Sequence, residues 1–394
     1  MQLLILAVVA TLAQQALGQM SLVVMPVVAP NVAADLGLDP SFIGVYIAVL
    51  HAASIVTSVL SGAFVMRYGG VRVSQIGLLL VVAGLGLALP GGMVVFAASA
   101  VLLACGYGPL TPSASHILAK HAPPRLAPLV FSIKQTGVPL GGIIAGAAMP
   151  AAALAFGWRG AFVVAMVACL AMAVLVFPLR SRFDRDRQPD HPISARQAFS
   201  NLIFVARDSN LRALAAASFV FGGMQIIVIA FYVTFLVERL DYDLAGAGFL
   251  FAVLQGAAMV GRVVWGWLAG RYRSPRVVLG LLGLAMAAAN IFFGSLDAGL
   301  PTPVMVALAV VMGAATIGWN GVFLAEVALA APAESVGAVT GGVIAYSYTG
   351  SMIYPAVFSA ILAATGSYFV GFVAAAVPAA LIGMIFLWPR RARA

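Results

Sequence analysis

Three side chains that can carry positive charge lie deep inside long apolar stretches of this sequence: His51, Lys134 and Arg262. Every aspartate and glutamate can instead be placed in a loop or near the end of an apolar stretch. A charge in an apolar environment is costly unless it meets a partner or a ligand. Cations without a buried carboxylate therefore indicate a binding site for an anion, whereas a site for an organic cation would need a buried acid.

Each of the three residue types suggests its own chemistry. The planar guanidinium of Arg262 can bind a carboxylate through two hydrogen bonds, and Lys134 can add a second positive charge. His51 is a candidate proton carrier because its unperturbed pKa is about 6.5. The structural alternatives are an arginine bonded to helix carbonyls, a lysine that snorkels to the membrane edge, and a neutral histidine packed between helices.

Other polar and aromatic side chains within apolar stretches could line the same cavity. The full set of expected substrate-binding residues is Arg262, Lys134, His51, Gln255, Gln15, Gln19, Trp319, Asn320, Ser347 and Tyr348. Gln15 and Gln19 are four residues apart and share one helix face. The alternative is that many of these residues only bridge helices.

The composition shows that these residues must be positioned by membrane-spanning helices. Of the 394 residues, 63% are apolar and 8% charged, and the mean hydropathy is +1.08. This composition excludes a soluble enzyme, a nucleic-acid-binding protein and a secreted scaffold. Cys105 and Cys169 lie in separate apolar stretches, and no metal, phosphate-loop or nucleophile motif occurs, so we expect no enzyme, cofactor or metal site.

Polar, proline and glycine residues divide the apolar sequence into twelve predicted helices of an all-α fold. The predicted spans are 3–34, 41–66, 73–90, 93–118, 127–151, 158–178, 211–237, 244–269, 277–296, 302–326, 335–362 and 367–389. The long hydrophilic stretch between the sixth and seventh spans predicts an amino-terminal six-helix bundle over 1–179, a linker loop over 180–210 and a second bundle over 211–394. We expect a monomer whose partners are membrane lipids, an organic anion and protons, with no nucleic acid.

The distribution of basic residues predicts the orientation of the chain. With the amino terminus inside, 17 of the 21 lysines and arginines fall in cytoplasmic segments. Only Arg159 and Arg239 face outward. Because basic residues are retained on the cytoplasmic side, we expect both termini and the linker loop in the cytoplasm, in a multi-pass protein of the cell (inner) membrane.

The two halves of the chain carry matching residues, which indicates an internal duplication. Gly62, Arg67 and Tyr68 recur 204 residues later as Gly266, Arg271 and Tyr272. Thr136-Gly137 likewise recurs as Thr349-Gly350. Ordered matches of this kind are typical of transporters built from repeated halves.

The segment from Gly62 to Arg72 resembles the loop signature after the second span of the major facilitator superfamily, G-x-L-x-D-R-x-G-R-K. The segment Gly266–Arg273 is similar to its weaker second copy. The resemblance covers the whole chain and implies two pseudo-symmetric six-helix bundles that alternate the access of a central site. In that family the acidic residue of the signature latches the cytoplasmic side, but Met66 stands at its position here. We therefore expect gating through Arg67 and Arg271, bonded to helix carbonyls or to Glu326. The alternative is that these arginines only anchor the cytoplasmic side of the membrane.

A narrower resemblance concerns the eighth span. The segment from Gly261 to Trp267 is similar to oxalate/formate antiporters and monocarboxylate porters, in which this arginine binds the substrate carboxylate. The sequence thus predicts a secondary transporter of a small organic anion, driven by protons or by anion exchange. The alternatives are efflux of a larger amphiphilic compound and a transporter-like sensor or assembly factor that moves nothing.

Overall fold

The computed structural model describes residues 2–39, 41–121, 130, 133–191, 205–272, 275–330 and 336–388. These residues are helical, without a strand among them. The α-helices are α1 Gln2–Leu36, α2 Phe42–Tyr68, α3 Gly70–Ala88, α4 Met93–Tyr107, α5 Leu110–His121, α6 Gly137–Leu175, α7 Arg180–Phe183, α8 Ser209–Arg239, α9 Leu244–Tyr272, α10 Pro275–Gly294, α11 Thr302–Met312, α12 Asn320–Ala330, α13 Val336–Thr365 and α14 Tyr368–Leu387.

Nine helical stretches of the described residues are long and apolar enough to cross a membrane, or ten if the bent pair Phe42–Thr57 and Leu60–Tyr68 forms one span. One of the nine, Ile133–Phe183, has 51 residues. A single span needs only about 20 residues, so this stretch exceeds one crossing. Its break lies at Gly157, between the fifth and sixth predicted spans. The total of twelve spans stays a prediction.

The break within α6 is built by its sequence. Gly157 has φ 72° and ψ 170°, a conformation that glycine adopts at low cost. The next two side chains turn to Asp35 at the end of α1, which accepts hydrogen bonds from Trp158 Nε1 at 2.9 Å and from Arg159 at 2.8 Å. The Arg159 guanidinium also lies over the indole of Trp158. The helix therefore restarts at a point fixed by two neighbouring residues.

The chain forms two compact units, and the first comprises Met1–Phe42, Val49–Arg196 and Leu244–Ala252. Within it, α6 packs along α1 because glycines remove the side chains that would separate the two backbones. A Cβ atom at Gly141 would lie 2.8 Å from the backbone nitrogen of Met20. This close approach holds the glutamine-bearing face of α1 against the beginning of α6.

The second unit comprises Ile43–Ala48, Gln197–Asp243 and Val253–Ala394. Its centre is an aromatic cluster formed by α8, α10, α13 and α14. Phe293 lies 4.6 Å from Phe235 and 5.6 Å from Phe372, measured between ring centroids, and Phe358 lies 5.1 Å from Phe372. Aromatic contacts of this kind supply packing energy where lipid supplies no hydrophobic driving force between helices. The bundle boundaries predicted at residues 179 and 211 stay a prediction.

Large apolar side chains cover the exposed helix faces. Exposed fractions reach 84% at Val94, 74% at Phe156, 70% at Leu175 and 65% at Trp267. Soluble proteins rarely expose apolar patches of this extent, whereas lipid-facing helices must. The surface agrees with the membrane-spanning fold that the composition predicts.

Candidate functional site

Lys134 is the most deeply buried cation among the expected site residues. Its side chain is 1% exposed. The ammonium group donates to Gln135 Oε1 at 3.2 Å, and it forms no ion pair with any residue that the structure describes. A neutral amide does not neutralise an ammonium, so the charged form of Lys134 leaves a demand for a negative charge.

Two of the expected glutamines lie in the same unit as Lys134, against the start of α6. Gln15 contacts α6 at Gly137, one turn beyond the lysine, because a Cβ atom at that glycine would lie 3.1 Å from Gln15 Cβ. Gln19 contacts α6 at Gly141 in the same way, at 2.8 Å. The structure thus places Gln15 and Gln19 against the first two turns of α6, which begins three residues after Lys134.

Sequence reasoning missed two residues that join these glutamines. Tyr107, the last residue of α4, accepts a hydrogen bond from Gln15 Nε2 at 2.8 Å and donates one to Gln19 Oε1 at 2.6 Å. Thr111 of α5 donates to Gln15 Oε1 at 2.9 Å. The signal that could have found them is the segment Tyr107-Gly108-Pro109 within an apolar stretch. Its glycine and proline predict a helix break beside polar residues.

His51 is also part of the first unit. It lies in α2 with 9% of its surface exposed. That depth agrees with the expectation of a buried histidine but does not distinguish a proton carrier from a packing residue. Its role stays a prediction.

In the second unit, Trp319 and Asn320 share one acceptor on α8. Gln225 Oε1 accepts from Trp319 Nε1 at 3.0 Å and from Asn320 Nδ2 at 3.1 Å. These two residues follow a π-helical turn, Gly313–Ile317, that the sequence did not predict. Such turns often occur at functional sites. The indole Nε1 of Trp265 on α9 donates to the Ala314 carbonyl oxygen at 2.8 Å, and this hydrogen bond joins α9 to the π-helical turn.

The remaining expected binding residues of the second unit lie on two helices. On α9, Gln255 is buried with 2% exposure, whereas Arg262 is half-buried. On α13, Ser347 packs against Gly222 of α8, where a Cβ atom would lie 3.0 Å from the Ser347 carbonyl oxygen. Tyr348 is half-buried beside it. Their roles in substrate binding stay predictions.

The expected gating residues are only partly visible. The Arg67 guanidinium lies 5.7 Å from the ring centroid of Tyr68, and Glu326 is buried in α12 with 7% exposure. Arg271 belongs to the backbone of α9, but its side chain lies outside the described part of the chain. The gating role of these three residues stays a prediction.

Residues 184–188, here called the linker strap, are bonded to the segment that carries the loop signature. Asp184 accepts hydrogen bonds from the backbone N–H groups of Val71 at 2.8 Å and Arg72 at 2.9 Å, at the amino terminus of α3. Gln188 N–H donates to the Met66 carbonyl at 2.8 Å. Burial raises the pKa of the Asp184 carboxyl even though these backbone bonds favour its charged form.

Asp186 connects the linker strap to α5. Its carboxylate lies 2.9 Å from His116 Nε2 and 3.1 Å from Lys120 Nζ. Burial alone would raise the pKa of Asp186, but hydrogen bonds from Lys120 and His116 lower it below its ordinary value of 3.8. The ionised Asp186 carboxylate therefore stabilises the folded state. This stabilisation is fully present above the ordinary pKa of 3.8 and is lost as the pH falls through the lowered pKa of the folded state.

A sequence comparison identifies the family. The sequence model described as Major Facilitator Superfamily matches residues 3–355. The chain belongs to the Major Facilitator Superfamily. The predictions of a transporter rather than an enzyme, and of an all-α membrane fold of this family, are confirmed. The narrower resemblance to oxalate/formate antiporters and monocarboxylate porters stays a prediction.

Two curated relatives are similar over most of this superfamily member. The hexuronate transporter of Bacillus subtilis (strain 168) is 22% identical over 359 residues, which cover 87% of this chain and 84% of that one. The 4-hydroxybenzoate transporter PcaK of Acinetobacter baylyi (strain ATCC 33305 / BD413 / ADP1) is 24% identical over 324 residues, covering 72% and 68%.

Solved structures show the same fold. A POT family transporter in complex with 5-aminolevulinic acid has a TM-score of 0.79 at 14% identity, with 96% of this chain and 95% of that chain covered. The peptide transporter POT in complex with sulfate has a TM-score of 0.78 at 17% identity, with 97% and 93% covered. At these identities the likeness concerns the fold alone.

Proposed function

We propose that this protein is a secondary active transporter of a small organic anion, a carboxylate, that works by alternating access. The observation that carries the proposal is Lys134, a buried cation whose hydrogen-bond acceptor in the described structure is the neutral Gln135. A carboxylate ligand would neutralise this charge, and a second cation, Arg262, lies within a helix of the other unit. The relatives named for hexuronate and 4-hydroxybenzoate transport both handle small organic anions.

Matched ligands with and without a carboxylate test the proposal. We expect glucuronate and 4-hydroxybenzoate to raise the unfolding temperature of the purified protein, because a ligand that binds only the folded state stabilises it. The uncharged analogues glucose and 4-hydroxybenzyl alcohol should have no effect. The same carboxylates should enter proteoliposomes. Equal stabilisation by charged and uncharged ligands would contradict an anion site, and carboxylate binding without flux would favour a sensor over a transporter.

We propose that His51 carries the proton if a pH gradient drives uptake. An imidazole changes charge near physiological pH, and anion binding would favour its protonated form. His51→Gln should keep binding and anion exchange but abolish gradient-driven accumulation in proteoliposomes. His191→Gln is the matched control, since that histidine follows the linker strap and lies outside the helices that could cross a membrane. Accumulation retained in His51→Gln would exclude this carrier and favour plain anion exchange.

We infer that both termini and the linker face the cytoplasm, in a cell (inner) membrane, because of the basic residues in those segments. Asp190 and Asp297 are both exposed, so single cysteines there can report the side of the membrane. In a background without Cys105 and Cys169, an impermeant maleimide added outside intact cells should label Asp297→Cys and leave Asp190→Cys unlabelled. Labelling of Asp190→Cys would show that the linker faces outward and that the inferred orientation is wrong.

A further inference from the structure

Four side chains of the first unit form a continuous chain of hydrogen bonds with one direction. Thr111 donates to Gln15 Oε1, Gln15 Nε2 donates to the Tyr107 hydroxyl, and that hydroxyl donates to Gln19 Oε1. The three distances are 2.9, 2.8 and 2.6 Å. The chain crosses from α5 to α1, to the end of α4 and back to α1. It therefore fixes the orientation of both glutamine amides.

The direction of this chain decides what Gln19 offers. Its oxygen is occupied by the Tyr107 hydroxyl, so its free end is the Nε2 amino group, which carries two donor hydrogens. Among the described residues this amino group makes no hydrogen bond, and Gln19 keeps 8% of its surface exposed. The amino group is not among the fully buried polar atoms that lack a partner in the described structure, so it is accessible and can donate to a ligand oxygen.

The location of the donor relates it to Lys134. Gln19 contacts α6 at Gly141, and Gln15 contacts it at Gly137. Lys134 precedes Gly137 by three residues and Gly141 by seven residues in the sequence. A helix rises about 1.5 Å per residue, so the level of Gln19 lies several ångströms along the helix axis from Lys134. A ligand whose carboxylate is neutralised by Lys134 would therefore reach Gln19 only through a second oxygen.

We propose that Tyr107 is a positioning residue that holds Gln19 as a hydrogen-bond donor, so that the site selects carboxylates with an additional hydroxyl or carbonyl oxygen over plain alkyl carboxylates. This inference rests on the proposed function. A donor fixed in direction discriminates against a ligand that lacks an acceptor, because such a ligand covers the donor without pairing it. Without the Tyr107 hydroxyl, the Gln19 amide can rotate and loses this preference.

Gluconate and hexanoate are matched probes, since both are six-carbon monocarboxylates and differ in their hydroxyl groups. Binding to the purified wild-type protein, measured by isothermal titration, should favour gluconate. Tyr107→Phe should weaken gluconate binding about tenfold, the loss of one good hydrogen bond, and change hexanoate binding by less than about twofold. Gln19→Leu should have the same effect. The double variant should be no worse than Gln19→Leu, because the tyrosine acts through the glutamine.

Tyr368→Phe is the control, since it removes a tyrosine hydroxyl that donates to Glu238 at 2.9 Å in the second unit. It should leave both affinities unchanged. An equal loss for gluconate and hexanoate in Tyr107→Phe would mean a general structural role and overturn the inference, as would an unchanged preference. If wild type binds both probes equally and Lys134→Ala abolishes both, the anion transporter stands and the role of Tyr107 is wrong. If wild type binds no carboxylate, both proposals fail.

Discussion

Lys134→Ala and Arg262→Ala should each weaken binding of the preferred carboxylate by about 100-fold or more. Removing one partner of a desolvated charge pair costs about 2–5 kcal/mol, and tenfold in affinity corresponds to about 1.4 kcal/mol. Lys134 has the stronger case because its side chain is 1% exposed and its hydrogen bond is to a neutral amide. Isothermal titration of the purified protein and uptake into proteoliposomes measure the two effects.

Conservative variants separate charge from geometry. Arg262→Lys should fail nearly as badly as Arg262→Ala, because an ammonium cannot bind a carboxylate through two parallel hydrogen bonds. Lys134→Arg keeps the charge and should be milder than Lys134→Ala. Arg212→Ala, at an exposed arginine near the start of α8, is the control and should bind normally. Wild-type affinity in both alanine variants would disprove the anion site.

Asp184→Ala should destabilise the first unit by about 2–4 kcal/mol, since each charge-assisted hydrogen bond contributes about 1.5–3 kcal/mol. The carboxylate accepts from two backbone N–H groups at the positive end of α3, and alanine leaves both without that acceptor. The measurement is the unfolding temperature of the purified protein. Transport should fall as well, because the linker strap would lose its attachment to α3.

Two further variants test this attachment. Asp190→Ala removes an exposed carboxylate just beyond the linker strap and should leave the unfolding temperature unchanged. Gly69→Ala should destabilise, because Gly69 has φ 96° and a Cβ atom there would collide with the Asp184 side chain. If Asp184→Ala leaves the unfolding temperature unchanged, the hydrogen bonds between Asp184 and the start of α3 contribute nothing to stability.

Several features of the fold follow from residues that are close together in the sequence. The membrane character, the positions of most helix ends and the break near Gly157 depend on local composition and on single glycines. The duplicated loop signature identified the superfamily for the same reason, since its residues are contiguous. The π-helical turn at Gly313–Ile317 was missed, because its apolar sequence is compatible with an ordinary helix.

The candidate site divides in the same way. That Lys134 is a buried cation was predictable, because it lies in an apolar stretch without a local carboxylate. That Tyr107 orders Gln15 and Gln19 was not, because these contacts join residues 92 and 88 positions apart. A tyrosine at a helix end has no sequence pattern that names its partner.

The linker strap shows most clearly what the amino-acid sequence determined and what only the tertiary structure decided. The sequence alone showed that the acidic residue of the loop signature is absent at Met66, and it placed Asp184 in a polar linker. The folded chain brings that aspartate to the first turn of α3, 113 residues away from Val71. Periodicity and composition report which face of a helix is apolar. The partner of a buried charge depends on which helices become neighbours, and only packing along the whole chain decides that.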